Sequence, residues 1–233
     1  MKERPILMSA PMVRAILAGT KTQTRRIMKV QPPSADYELA LCVETTGNRK
    51  NEGKLHWVKA ERSMGFPNVT HSDERHFECP YGQPGDRLWV RETWGEGCHT
   101  VCCNRPQISF EEGPHGEAVP CGEYCCGNPD PEQHIAYRAD GDDDTITRWR
   151  PSIHMPRWAS RILLEVVSVR VERLQDISGP DALEEGFNGG CGCPTCETAA
   201  KPWYRQLWED INGPDSWETN PYVWVVEFKV IKQ

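Results

Sequence analysis

Arg161-Ile-Leu-Leu-Glu-Val-Val-Ser-Val-Arg-Val-Glu-Arg-Leu174 is the longest β-strand signal in the chain. It is rich in β-branched residues, and apolar side chains alternate through Val167, Val169 and Val171, the period of a strand with one buried face. Downstream, Ser178 is placed to cap a helix from Pro180 to Glu185 that stops at Gly186. A Gly/Cys-rich loop is expected over 187–200, then a helix over Pro202–Ile211 that ends at Asn212-Gly213. Tyr222–Ile231 reads as a closing strand with Tyr222, Trp224, Val226 and Phe228 on one face. Upstream, Arg87–Thr93 alternates like a strand after the Gly85-Asp86 turn. Arg4–Ser9 and Ile135–Arg138 read as shorter strands, and Pro11–Ala18 as a helix with proline in its first turn. Ile153–Ser160 reads as a turn or short helix. The segment 31–83 is irregular apart from a strand signal at Lys54–Lys59, and 95–135 has little periodicity. Several strands, few short helices and long loops predict an α+β chain, a small β-barrel with helical decoration. Residues 1–233 form a single domain in this reading, with insertions at about 31–83, 95–135 and 187–200.

The chain has 233 residues, enough to bury a substantial core. Its apolar fraction is low, 38%, but nine tryptophans offset this, because each can bury a large area. There is no apolar run of membrane-spanning length and no signal-peptide core, so a cytoplasmic protein without a membrane partner is expected. The net charge of −7 is unevenly spread. Residues 1–30 carry seven Lys/Arg against one Glu, so all of the acidity lies beyond them. An acidic protein is a poor candidate for wrapping duplex nucleic acid, whose affinity comes mainly from phosphate neutralisation. A local basic cleft holding a nucleoside or one strand remains compatible. Asp140-Gly-Asp-Asp-Asp144 reads first as a solvated acidic turn, although its oxygens suit a divalent cation.

The basic N-terminal stretch contains Arg14-Ala-Ile-Leu-Ala-Gly-Thr-Lys-Thr-Gln-Thr-Arg-Arg26. A short apolar helix breaks at Gly19 and gives way to Lys21, Thr22 and Thr24 beside Arg25 and Arg26. If the turn stays helical, Lys21 and Thr24 share a face. An amine beside a hydroxyl is one way to activate a weak nucleophile, and the arginines supply anion-binding forks. Taken alone, the stretch reads first as a basic, polar helix exit on the surface.

Eleven cysteines without an export signal favour metal binding over a disulfide framework. Cys98, Cys102, Cys121 and Cys125 supply the four thiolates of a candidate structural zinc site, with Cys103, Cys126, His99 and His115 nearby as competitors. A second group, Cys191-Gly-Cys-Pro-Thr-Cys196, supplies three thiolates and needs a fourth ligand. Its Cys193-Pro-Thr-Cys196 spacing also fits a redox pair.

The stretches Gly19-Thr-Lys-Thr-Gln-Thr-Arg25, Pro84-Gly-Asp-Arg-Leu88, Ala182-Leu-Glu-Glu-Gly186 and Val225-Val-Glu-Phe-Lys229 occur in an order and spacing that resemble an ASCH domain, a branch of the PUA-like superfamily. Arg148-Trp-Arg-Pro-Ser-Ile-His-Met-Pro-Arg-Trp-Ala-Ser160 and Ile211-Asn-Gly-Pro-Asp-Ser-Trp217 resemble the phage and prophage members. The likeness is discontinuous, covers about two thirds of the chain and leaves out the Cys-rich insertions. It implies a PUA-like barrel, a phage- or prophage-encoded protein in a bacterial cytoplasm, and a nucleoside or nucleic-acid partner.

Some small ASCH proteins are amidohydrolases that remove an acyl group from the exocyclic amine of cytidine, with a Lys, a Thr three residues later and a distant Glu. The resemblance carries these roles onto Lys21, Thr24 and Glu185, with Glu184 as the substitute for the last, and no cofactor for catalysis. Lys21 lowers the cost of deprotonating Thr24, and Glu185 passes the proton to the leaving amine and then activates water. Thr22 is a second hydroxyl beside them, and backbone amides are expected to hold the oxyanion. The chain is about twice the length of that branch, so its insertions can reshape the pocket.

A binding module is the alternative. In it Lys21, Arg25 and Arg26 hold phosphate, Arg157 with Arg161 extends that face, and Trp94 or Trp158 stacks a base. Each tryptophan taken alone reads first as core, and His154, a candidate catalytic acid, reads first as a structural histidine. A third class is a phage protein that docks a host factor through its Cys-rich insertion, the barrel being only scaffold.

Overall fold

The computed structural model describes residues 1–34, 37–41, 54–63, 66–72, 76–96, 135–141, 149–188 and 193–231. The chain begins with β1 (Glu3–Leu7), α1 (Ala10–Leu17) and β2 (Gln23–Ile27). Next come β3 (Tyr37–Leu41), β4 (Leu55–Ser63), β5 (Phe66–Ser72), β6 (Arg87–Arg91), β7 (Trp94–Glu96), β8 (Ile135–Tyr137) and β9 (Trp149–Arg150). The last part holds β10 (Leu163–Arg173), α2 (Gly179–Glu184), α3 (Pro194–Asn212) and β11 (Tyr222–Ile231). The strands make a five-stranded sheet of order β1-β6-β10-β11-β2 and two three-stranded sheets, β3-β4-β5 and β8-β7-β9. The class is α+β. The described strands form open sheets, with β1 and β2 at the edges of the largest, where the sequence led us to expect a small closed barrel.

In the main sheet β1 runs parallel to β6, and the other pairings are antiparallel. β10 and β11 pair along nearly their whole length, from Leu163↔Ile231 to Arg173↔Tyr222, with a bulge between Val166 and Ser168. The bulge corrects the face assignment upstream of it. Val166 points into the core at 1% exposure, whereas Val167 is the extra residue and is 49% exposed.

β11 is buried on both faces, which is why its sequence is almost continuously apolar. Trp224, Val226 and Phe228 join Ile6, Val13, Ile16, Trp57, Leu88 and Leu164 in the main core, with Tyr222 packed against it. Val223 and Val225 face the other way, onto Ala182 of α2, Ala200, Tyr204 and Trp208 of α3, and Trp217. The main sheet thus separates two cores.

Two segments read as irregular are ordered. Part of 31–83 forms the β3-β4-β5 sheet, and Trp57 of β4 reaches the main core, fully buried. Part of the expected 187–200 loop is the first turns of α3, which begins at Pro194 and carries Pro202 inside it. Ala200, Tyr204 and Trp208 recur every four residues as its buried stripe. Their burial outweighs the helix-breaking cost of Pro202. Ile153–Ser160 contains two single 3-10 turns, Ser152–His154 and Arg157–Ala159. Ser178 caps α2 as expected, its hydroxyl accepting from the Asp181 amide at 3.2 Å.

Among the described residues no helix is long and apolar enough to cross a membrane.

Candidate functional site

α1 ends in a turn at Gly19 (φ +75°), and the chain enters β2 fully extended, not helical as the Lys21–Thr24 pairing supposed. Before β2 starts, Lys21 forms an isolated antiparallel bridge with Glu185, the residue that closes α2. The Thr22 amide donates to the Glu184 carbonyl at 2.9 Å, and the Thr22 carbonyl accepts from the Phe228 amide at 2.8 Å. The backbone therefore fixes Lys21 beside Glu185. Lys21 is 1% exposed, and its Nζ donates to Glu185 Oε2 at 2.6 Å and to the Glu185 carbonyl at 2.9 Å. Burial pulls the Lys21 ammonium below its ordinary value of 10.5, a shift that its pairing with Glu185 opposes and the charges of Arg26 and Arg25 assist.

Gly186 makes this approach feasible. Its φ is +103°, and a Cβ there would lie 3.0 Å from Ala15 Cβ and 3.3 Å from Lys21 Cβ. We expect Gly186→Ala to cost about 1–3 kcal/mol through the positive φ alone, more if Lys21 cannot yield. Urea unfolding of the variant checks this, and an unchanged midpoint would show that the α2 exit relaxes freely.

Arg25 lies on the other side of Glu185. Its guanidinium is wholly buried and meets Glu185 Oε1 at 3.2 Å, Glu172 Oε2 at 3.1 Å and Asp181 Oδ2 at 3.2 Å. Arg170 extends the network to Glu172, Glu227 and Asp181. Gln23, also fully buried, donates to the Asp181 carbonyl at 2.9 Å and to Glu184 Oε2 at 3.2 Å. Gln23, Arg170, Glu172, Asp181 and Glu227 went unnoticed in the sequence because nothing local marks them. They meet only when β2, β10, α2 and β11 assemble.

Against this network lies a cavity of about 120 Å³, lined among others by Thr24, Arg25, Arg26, Tyr81, Glu185, Tyr204 and Trp208. That is small beside the ~300 Å³ of an ordinary small-molecule pocket, and it suits one acyl group or ring edge. Thr24 is 2% exposed, and its hydroxyl makes no hydrogen bond to another described residue. Lys21 sits behind Glu185 and is not part of the lining.

Thr24, Arg25, Arg26 and Glu185 therefore come together, with Lys21 directly behind. Arg25 is taken up by its three carboxylates, whereas Arg26 donates through Nη2 to the Leu7 carbonyl at 2.6 Å and its buried Nε has no acceptor among the described residues. Thr22 is exposed and lies outside the lining.

Trp94, Arg157 and Trp158 are not at the cavity. Trp94 is core, 1% exposed against Met155 and Ala159. Trp158 meets it edge-on at 5.8 Å and is 52% exposed. Arg157 pairs with Glu3 at 3.0 Å, while Arg161 is taken up by Glu92 and Asp140, so the two do not make a shared phosphate face. His154 is exposed.

Cys98, Cys102, Cys121 and Cys125 lie outside the described residues, as do His99, His115, Cys191 and Asp142–Asp144 of the acidic turn. Among the described residues no group of three or more metal-ligating side chains converges. The Cys193 and Cys196 sulfurs lie 3.4 Å apart at the start of α3. Comparison of the chain with protein-family models, with curated proteins and with solved structures finds no match.

Proposed function

We propose that this chain is a PUA-like protein of ASCH type that hydrolyses the amide on an acylated nucleoside base, an N4-acylcytidine-like substrate. The observation that carries the reading is the buried Lys21–Glu185 pair at 2.6 Å, set against a cavity whose wall also holds Thr24 with an uncommitted hydroxyl. The order of motifs that resembles ASCH proteins, from which the roles of Lys21, Thr24 and Glu185 were taken, agrees with it. The Thr24 Oγ attacks the acyl carbonyl, and its proton passes to the Lys21–Glu185 couple. The couple returns the proton to the departing exocyclic amine as the carbon–nitrogen bond breaks. Water, deprotonated by Glu185, then cleaves the acyl-threonine ester and restores the hydroxyl. A buried lysine held below its ordinary range loses its proton more readily than an exposed one, which favours a proton-carrying couple. The strand-binding alternative is less well served, because the Arg25 guanidinium is already paired with three carboxylates.

The test is deacylation of N4-acetylcytidine by the wild type beside Thr24→Ala, Glu185→Gln and Lys21→Ala, with folding followed by circular dichroism. We expect each folded variant to lose turnover by about 10²-fold or more. Intact turnover in Thr24→Ala would remove the nucleophile assignment. A folded wild type that turns nothing over would overturn the hydrolase reading for this substrate.

A further inference from the structure

The cavity wall opposite β2 comes from α3, through Tyr204, Leu207, Trp208, Ile211 and Asn212. Its polar groups are unbalanced. Both Glu185 oxygens already accept, from Lys21 and Arg25. The donors are uncommitted. Trp208 Nε1 and Arg25 Nε are buried with no acceptor among the described residues. The hydroxyls of Tyr204 and Thr24 also bond to no described residue, but neither oxygen is among the sealed, unpartnered atoms, so each can be met by a solvent-sized group. Native proteins rarely leave buried donors unsatisfied, since each costs the desolvation of a polar group. Tyr204 and Trp208 both line the cavity, so a ligand that brings acceptor atoms is the kind these donors could take.

Charge decides which acceptor. Lys21, Arg25, Arg26 and Arg170 stand against Glu172, Asp181, Glu184, Glu185 and Glu227, four cations to five carboxylates. A phosphate dianion would find no excess positive charge there, whereas a neutral carbonyl needs only dipolar donors. We infer that Tyr204 and Trp208 donate to the carbonyl oxygen of the ligand's acyl group, so that α3 supplies the site's acyl-recognition wall. This rests on the hydrolase reading for the identity of the ligand, and replaces the backbone amides expected as the oxyanion's partners with side chains. Burial first, and then the Glu185 charge, push the Tyr204 phenol well above its ordinary range against the pull of Arg25 and Arg26, so it stays a donor at neutral pH.

The experiment compares N4-acetylcytidine with cytidine, which has the same ring and lacks the acyl carbonyl. Dissociation constants are measured by calorimetry in Thr24→Ala, where the acyl ligand survives, alone and combined with Tyr204→Phe or Trp208→Phe. We expect Tyr204→Phe to reduce the preference for the acyl ligand by about tenfold, with cytidine binding unchanged. A merely structural role would weaken both ligands together, and that outcome, or no change in either, overturns the inference. Should Trp208→Phe fail to fold, Tyr204→Phe decides alone, since it removes one hydroxyl and keeps the ring. If wild-type protein deacylates but the preference does not move, the inference falls and the hydrolase reading stands. If the preference moves but wild type deacylates nothing, the hydrolase reading falls and the carbonyl wall stands. If neither nucleoside binds, both fall.

Discussion

Lys21→Met should lower the unfolding free energy by about 3–5 kcal/mol, because it leaves the Glu185 carboxylate buried without its closest cation. Arg25, 3.2 Å from the other Glu185 oxygen, softens the loss and places the expectation near the lower figure. For a chain of this size that is a fall in Tm of about 6–12 °C. Lys21 is held below 10.5 although Glu185 pulls it upward, so burial costs the ammonium more than the pair returns. Replacing both partners should therefore be far milder than breaking the pair. Lys21→Met/Glu185→Leu is expected to recover at least half of the single-variant loss, with Arg25 still held by Glu172 and Asp181.

The pH dependence has a definite sign. Unfolded Lys21 keeps its proton up to its ordinary value, while folded Lys21 releases it earlier. Between the two the unfolded state binds more protons, so stability from this residue rises with pH. Urea titrations from neutral pH towards pH 10 should show the wild type gaining on Lys21→Met. A gap that narrows instead would mean the ammonium is stabilised in place.

Trp57→Ala should cost about 3–5 kcal/mol, as large a loss as any single core truncation in the molecule. The indole is fully buried, lies 4.7 Å from the Tyr222 ring and 6.0 Å from Phe77, and donates to the Val30 carbonyl at 3.3 Å. Truncation leaves a void between β4 and β11, and an orphaned carbonyl beside it. Equilibrium unfolding measures the cost. A loss under about 1 kcal/mol would mean that β3-β4-β5 is a detachable decoration and the main core closes without it.

The parts of the fold that could be read in the sequence are those fixed by local periodicity. Trp224, Val226 and Phe228 alternate in β11, and the structure puts them in one core. Gly19 ends α1 and Ser178 caps α2, because each answers a backbone demand that its neighbours announce. Tertiary burial overrode local rules elsewhere. Pro202 argued for a loop where the Ala200–Tyr204–Trp208 stripe sustains a helix, and the bulge at Val167 reversed a face that strict alternation assigned. The site was legible in part. Lys21 and Glu185 do meet, 164 positions apart in sequence, yet the reason is a bridge between extended backbone and a helix end. The helical turn imagined between Lys21 and Thr24 does not exist. Tyr204 and Arg170 were invisible because only packing brings Tyr204 to the cavity wall and Arg170 to the carboxylates around Arg25. Of the tryptophans singled out for stacking, Trp94 is held in its own core, while Trp158 lies half-exposed away from the cavity.

Among the described strands β2, which carries Thr24 and Arg25, pairs with β11 alone, with Thr24 opposite Val226 and Arg25 opposite Val225. On the ribosome, the segment made among the first must therefore wait for one made near residue 226 before it can be seated. A nascent chain stopped short of β11 would hold the cavity's Thr24 on a strand without its β11 partner, fixed through the contacts of Lys21, Gln23 and Arg25 to α2 and Glu185. Completion of β11 is then the step of synthesis that seats Thr24 in the main sheet.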